Sequence, residues 1–202
     1  MAGKFKPPSP ARAYGRGMTT TPNETTEPAA TASRAATGEH TTNGTPTEYT
    51  SLTPFVVVRD GAGAIAFYES VFGARLLDRT DFPTPDGGTV VAHAVLDFGN
   101  GILQLGDAMP DYHLVLPPAG DDDCYSLARY CPDVDATVAR AVAAGATVRE
   151  PATDFVSGDR FASIRDPFGV RWSVMTRIED IPDSESGRRV EEWAAQYAAT
   201  QG

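Results

Sequence analysis

Long apolar runs are missing from this sequence, and no stretch approaches the roughly 18 residues that a membrane-spanning helix needs. A membrane is therefore not an expected partner. Histidine and cysteine are scarce, at three and two in 202 residues. No H-x-H or H-E-x-x-H spacing occurs, and no Ser–His–Asp or Cys–His set can be assembled. No glycine-rich phosphate loop follows a strand. Basic residues are in the minority: 17 Lys and Arg against 27 Asp and Glu leave a net charge of −10. That balance argues against nucleic acid, whose phosphates need clustered cations. It suits a cationic ligand, although an acidic surface also simply keeps a protein soluble. The first residues, Met1-Ala-Gly-Lys-Phe-Lys-Pro-Pro8, include lysines but no apolar stretch after them, unlike a secretory leader. Cys124 and Cys131 are an odd number of residues apart, which on one strand places them on opposite faces. No disulfide between them is expected, and the reducing cytoplasm is the expected location.

What is present divides into three parts. Residues 1–50 are rich in Thr, Pro, Ala, Ser and Gly with almost no Val, Ile or Leu. Such a segment cannot bury enough apolar surface to offset its ordering entropy, and a disordered tail is expected. Its first part is basic (Lys4, Lys6, Arg12, Arg16), and Met18 is a second candidate start. A domain over 51–177 follows, with halves 53–106 and 124–176 joined by a linker. Residues 178–202 form an extension in which Val190, Trp193, Ala194 and Tyr197 recur at helical spacing.

The domain repeats itself. Phe55–Val58 reads as a β-branched strand, Asp60 as the cap of a helix through Ala64, Ile65, Phe67, Tyr68, Val71 and Phe72, and Gly73 as its stop. Strands over 75–80 and 89–98 come next, and Gly99-Asn100 turns the chain into a strand from Ile102 to Leu105. In the second half Asp133 caps a helix through Val134, Val138, Ala141 and Val142, and Gly145 ends it. Gly145-Ala-Thr-Val148 answers Gly73-Ala-Arg-Leu76, Asp154-Phe155 answers Asp81-Phe82, and Asp166-Pro-Phe-Gly169 answers Asp97-Phe98-Gly99. The offset stays near about 70 residues throughout. Two βαβββ units in tandem follow, an α+β fold.

Several separated motifs make the chain recognisable. Thr53-Pro-Phe-Val-Val-Val-Arg-Asp60, Ala64-Ile-Ala-Phe-Tyr68, Phe72-Gly-Ala74, Ala92-His-Ala94, Asp133-Val-Asp135, Gly158-Asp-Arg160 and Asp166-Pro-Phe-Gly-Val-Arg-Trp-Ser173 resemble, in order, a PhnB-like member of the glyoxalase / bleomycin-resistance / dioxygenase (vicinal oxygen chelate) superfamily. The resemblance implies a curved, eight-stranded, cup-shaped sheet with helices outside. It also implies one metal ligand on the first and one on the fourth strand of each half. Those positions fall on Thr53, Gln104, Ser126 and Ser173. None is His, Glu, Asp or Cys, so no metal and no cofactor are expected.

Strand alternation then suggests which residues line the cup. Phe55 and Val57 join Thr53, and Ile102 and Gly106 join Gln104. Pairing across the hairpin brings in His93, Val95 and Asp97. Ala128 and Tyr130 join Ser126, and Arg171 and Met175 join Ser173. Trp172 should face a helix. The candidate ligand contacts are Thr53, Phe55, His93, Gln104, Ser126, Tyr130, Arg160, Arg171 and Ser173, with His93 also the candidate catalytic group. Arg160 can serve equally in an ion pair with an Asp. Three functions fit: a metal-free protein that encloses a cationic or aromatic small molecule, an enzyme (lyase, isomerase or dioxygenase) using His93 or an unexpected metal site, and a scaffold acting through its extensions. The resemblance further implies a homodimer.

Overall fold

The computed structural model describes residues 35–120 and 122–201. The expectations for the basic segment and Met18 lie outside the described residues. The rest of the expected tail is not featureless. Thr41–Thr42 (β1) and Thr45–Pro46 (β2) form a small antiparallel hairpin. Asn43 and Gly44 turn it at φ 48° and 81°, the positive angles that an Asn-Gly hairpin turn requires. A short hairpin thus lies within the segment whose composition predicts a tail, set by the Asn-Gly turn.

The first half runs β3 (Phe55–Val58), α1 (Gly61–Phe72), β4 (Arg75–Pro83), β5 (Thr89–Asp97) and β6 (Ile102–Asp107). The second runs β7 (Leu127–Tyr130), α2 (Val134–Ala143), β8 (Thr147–Phe155), β9 (Asp159–Arg165) and β10 (Arg171–Arg177). The tandem βαβββ plan is thus present. Its strands fall into two four-stranded sheets, ordered β3-β6-β5-β4 and β7-β10-β9-β8, with no ladder joining them. Both sheets are mixed: the outer strands β3 and β7 run parallel to β6 and β10, and the other neighbours are antiparallel.

The two helices start and stop by local chemistry. Asp60 accepts the Gly63 N–H and Asp133 the Ala136 N–H, each at 2.9 Å, which satisfies a first-turn donor. Gly73 closes α1 in the left-handed region at φ 67°. The last strand of each half then ties down its helix. Asp107 accepts from the N–H groups of Gly61 and Val91, both at 2.7 Å. In the second half Thr176 Oγ1 accepts the Val134 N–H at 2.9 Å.

One continuous core holds the helix-facing sides of both sheets, among them Val56, Val58, Leu103, Leu105, Ile164 and Val174. At its centre Tyr68 and Phe72 of α1 pack on Trp172 of the second sheet, with ring centroids 5.3 and 4.7 Å apart. Trp172 is buried, as expected. Asp166 lies buried beside it and accepts the Tyr68 hydroxyl at 2.7 Å, Trp172 Nε1 at 3.0 Å, and the Phe168 and Val170 N–H groups at 2.9 Å. Burial pushes the Asp166 carboxyl up despite these donors, and burial together with Asp166 pushes the Tyr68 hydroxyl well above its ordinary value.

Both cysteines are free. The extension is a helix, α3 (Asp183–Gln201), touching the domain where Trp193 meets Phe155 edge-on at 5.1 Å. No helix among the described residues is long and apolar enough to cross a membrane.

Candidate functional site on the open faces of the two sheets

Each sheet has one face outside the core, and the alternation of side chains decides what lies there. On β3, Val56 and Val58 are buried in the core, which leaves Phe55 and Val57 on the open face. Phe55 pairs with Gln104 on β6, and Gln104 pairs with Val95 on β5. A bulge at Ala92 lets Val91 and Ala94 both reach the core, because Thr80 pairs with His93 while Asp81 already pairs with Val91. His93 consequently stays on the open side, where its ring stacks on Phe55 (centroids 6.1 Å apart, planes at 24°). Among the described residues the imidazole makes no hydrogen bond. Gly106 makes room for this pair: a Cβ there would lie 2.7 Å from the Ala92 carbonyl oxygen and 3.0 Å from Phe55 Cζ.

The open face of the second sheet mixes polar groups with apolar and aromatic ones. Ser173 sits between Ala128 and Ser163 in the ladder, and Met175 between Tyr130 and Phe161. The hydroxyls of Ser126 and Ser173 are hydrogen-bonded at 2.9 Å. Arg171 Nε donates to Ser163 Oγ at 3.0 Å, and its Nη2 to Glu150 at 2.8 Å. Sequence reasoning missed Ser163 and Glu150. The hairpin at 166–169 pairs Ser163 with Ser173, so counting across it finds Ser163. Glu150 lies beyond an irregular β8–β9 register that no local pattern reveals.

The candidate residues lie on or just before the strands of two sheets: Phe55, His93 and Gln104 on the first with Thr53 ahead of β3, and Tyr130, Arg171 and Ser173 on the second with Ser126 ahead of β7. The hydrogen bonds and ring contacts described for these side chains stay within their own half. Arg160 belongs to neither open face and makes the ion pair with Asp that the sequence left open beside a ligand role. It shares the core-facing parity of Ala162 and Ile164, and its guanidinium spans Asp135 at the start of α2 (2.7 and 2.8 Å) and Asp154 on β8 (2.7 Å). The same two carboxylates raise its pKa further.

The donor set does not fit the superfamily's divalent metal. The Thr53 hydroxyl donates to the Thr50 carbonyl at 2.8 Å, the two serines occupy each other, and Gln104 is neutral. Neutral oxygens already engaged in hydrogen bonds are weak replacements for imidazole and carboxylate. Among the described residues no group of three or more His, Cys, Asp or Glu could hold an ion.

A cavity of about 460 Å³ lies along the free edge of β7, between Leu127–Tyr130, the β5–β6 hairpin and the chain leading into β3.

Comparison with known proteins agrees with this architecture. The model of the Glyoxalase/Bleomycin resistance protein/Dioxygenase superfamily matches residues 40–174, and the chain belongs to that superfamily. It is 34% identical over 134 residues to Uncharacterized protein Rv0887c of Mycobacterium tuberculosis, covering 65% of this chain and 76% of that protein. The crystal structure of protein PA1353 from Pseudomonas aeruginosa matches with TM-score 0.51 at 21% identity, over 63% of this chain and 98% of that one. TioX from Micromonospora sp. ML1 is 30% identical with TM-score 0.48, over 63% of this chain and 98% of its own. A PhnB protein from Bacillus cereus is also among the structural neighbours.

Proposed function

We propose that this protein binds a small organic molecule without a resident metal, and that two copies of the chain enclose it. The observation that carries this reading is the division of labour between the open faces. One offers an aromatic platform, Phe55 on His93, with Phe55 37% exposed. The other offers hydroxyls and an arginine, with Tyr130 56% exposed. Apolar walls with a few fixed polar points are the usual make-up of a small-molecule site. Exposed aromatic surface on both halves supports closure by a second copy. The acidic chain and the aromatic stack favour a cationic or aromatic compound.

The test is a thermal-shift screen of the full chain with cationic glycopeptides, aromatic polyketides and α-keto acids, joined to sedimentation with and without each hit. A ligand confined to the folded state raises Tm. His93→Ala and Arg171→Ala should each weaken a hit by about tenfold, the loss of one hydrogen bond or ring contact. Unchanged affinity in both variants, or stoichiometric Zn, Fe, Mn or Ni in protein purified without chelator, overturns the reading. Catalysis is a second reading, supported by the His93 imidazole, which stacks on Phe55 and makes no hydrogen bond among the described residues. Turnover of a hit that vanishes in His93→Gln while binding persists is its signature.

A further inference from the structure

The cavity beside β7 contains a cation, Arg129, with no counter-ion among the described residues. Arg129 shares the core-facing parity of Leu127, and its guanidinium lies over the rings of Phe72 and Phe98, 5.2 Å from each centroid. Its Nη2 donates to the Phe72 carbonyl at 2.8 Å, so it caps the C-terminal end of α1. That contact uses one nitrogen. Nε is buried with no acceptor, and Nη1 has no hydrogen-bond partner among the described residues. No carboxylate among those residues lies within ion-pair distance. Nine of the twelve described arginines (Arg75, Arg79, Arg149, Arg160, Arg165, Arg171, Arg177, Arg188 and Arg189) have such partners, and Arg129 shares their absence with Arg59 and Arg140 but alone of the three lines this cavity. Burial also lowers the Arg129 pKa, the mark of a charge short of compensation.

The remaining walls are mostly apolar, with Thr50, Asn100 and Tyr130 as polar points. Trp172 and Phe98 form the inner surface, Ile102 and Leu103 one side, and Leu52 the rim at 81% exposure. A half-buried cation on an aromatic floor, inside a cavity of about 460 Å³, matches an amphiphile of one negative charge. We infer that this cavity is a binding site for small aromatic or branched aliphatic monocarboxylates, with the carboxylate on the Arg129 guanidinium and the apolar body against Phe98 and Trp172. Inorganic anions lack the apolar body, and neutral isosteres lack the charge. The site borders the open face of the second sheet, with Ala128 and Tyr130 common to both, but its cation and aromatic floor, Arg129, Phe98 and Trp172, are not groups of the proposed function.

The experiment is a fluorescence titration of the full chain carrying Trp193→Phe, which leaves Trp172 as the only tryptophan. Benzoate, benzamide and sulfate are the probes. Benzoate should produce a saturable change at Trp172, and benzamide and sulfate should bind at least about tenfold more weakly. Arg129→Gln should abolish the benzoate response. Because Arg129 also caps α1, Leu52→Glu provides a variant that leaves the cap intact: it sets a carboxylate at the exposed rim. It should weaken benzoate at least about fivefold, with its Tm unchanged and the loss reduced by added salt. Equal responses to benzoate and benzamide, benzoate binding that survives Arg129→Gln in folded protein, or full affinity in Leu52→Glu overturns the inference. So does a dimer whose cavity is closed to probes by the second copy. His93→Ala should leave benzoate affinity unchanged, which separates failure here from failure at the open faces.

Discussion

The two halves share a plan and differ in where they place their polar groups. In the first half the hairpin carboxylate Asp97 is partly exposed, pairing with Arg75 at 3.1 Å and the Gly99 N–H at 2.7 Å. Its counterpart Asp166 lies inside the core with four donors. On the open faces the contrast reverses: the first half carries the Phe55–His93 stack, and the second adds serines, an arginine and a glutamate to Tyr130 and Phe161. A duplicated unit keeps its backbone pattern because alternation and capping require little of each residue's identity. The side chains are then free to diverge wherever burial on one copy differs from burial on the other.

The largest test of this contrast is Asp166→Ala against Asp97→Ala. Removing Asp166 orphans buried donors, and should cost about 3 to 5 kcal/mol in urea unfolding. Asp97→Ala should cost below about 1 kcal/mol, since its ion pair is exposed to solvent. Similar losses would mean that the hairpins are energetically equivalent. Gly106→Ala comes next. Its new methyl must displace Phe55 or the Ala92 carbonyl, at about 1 to 3 kcal/mol, and the His93 stack should be lost in NMR ring-current shifts. The matching position on β10, Met175, is occupied by a large side chain and should tolerate Leu with little change.

The smallest effect is in pH dependence, where buried and exposed carboxylates differ in sign. Asp166 has a raised folded pKa, so its contribution to stability is fully present below the ordinary carboxylate range and is lost as pH rises through the folded value. Glu185 on α3 is held at about 2, below its ordinary 4.5, chiefly by hydrogen bonds from Arg188 and Arg189. Its contribution is present above about pH 4.5 and lost as pH falls toward about 2. Far-UV circular dichroism between pH 5 and about 2 should show α3 helicity falling in wild type and a flatter profile in Glu185→Gln. Identical profiles would remove Glu185 as a determinant of the helix.

Residue patterns alone determined the two βαβββ units, the caps at Asp60 and Asp133, the stop at Gly73 and the burial of Trp172. Each depends on contacts a few residues apart or on strand alternation, which is local. The face of His93 was also legible, because one short hairpin links it to Gln104. Tertiary structure alone decided that the candidates divide between two sheets, that Arg160 is taken by Asp135 and Asp154, and that Arg129 lies over Phe72 and Phe98. These are meetings of residues from 6 to 57 positions apart, set by how whole elements pack. Side-chain periodicity chooses a face, but only the packing of distant elements chooses which charges meet across it.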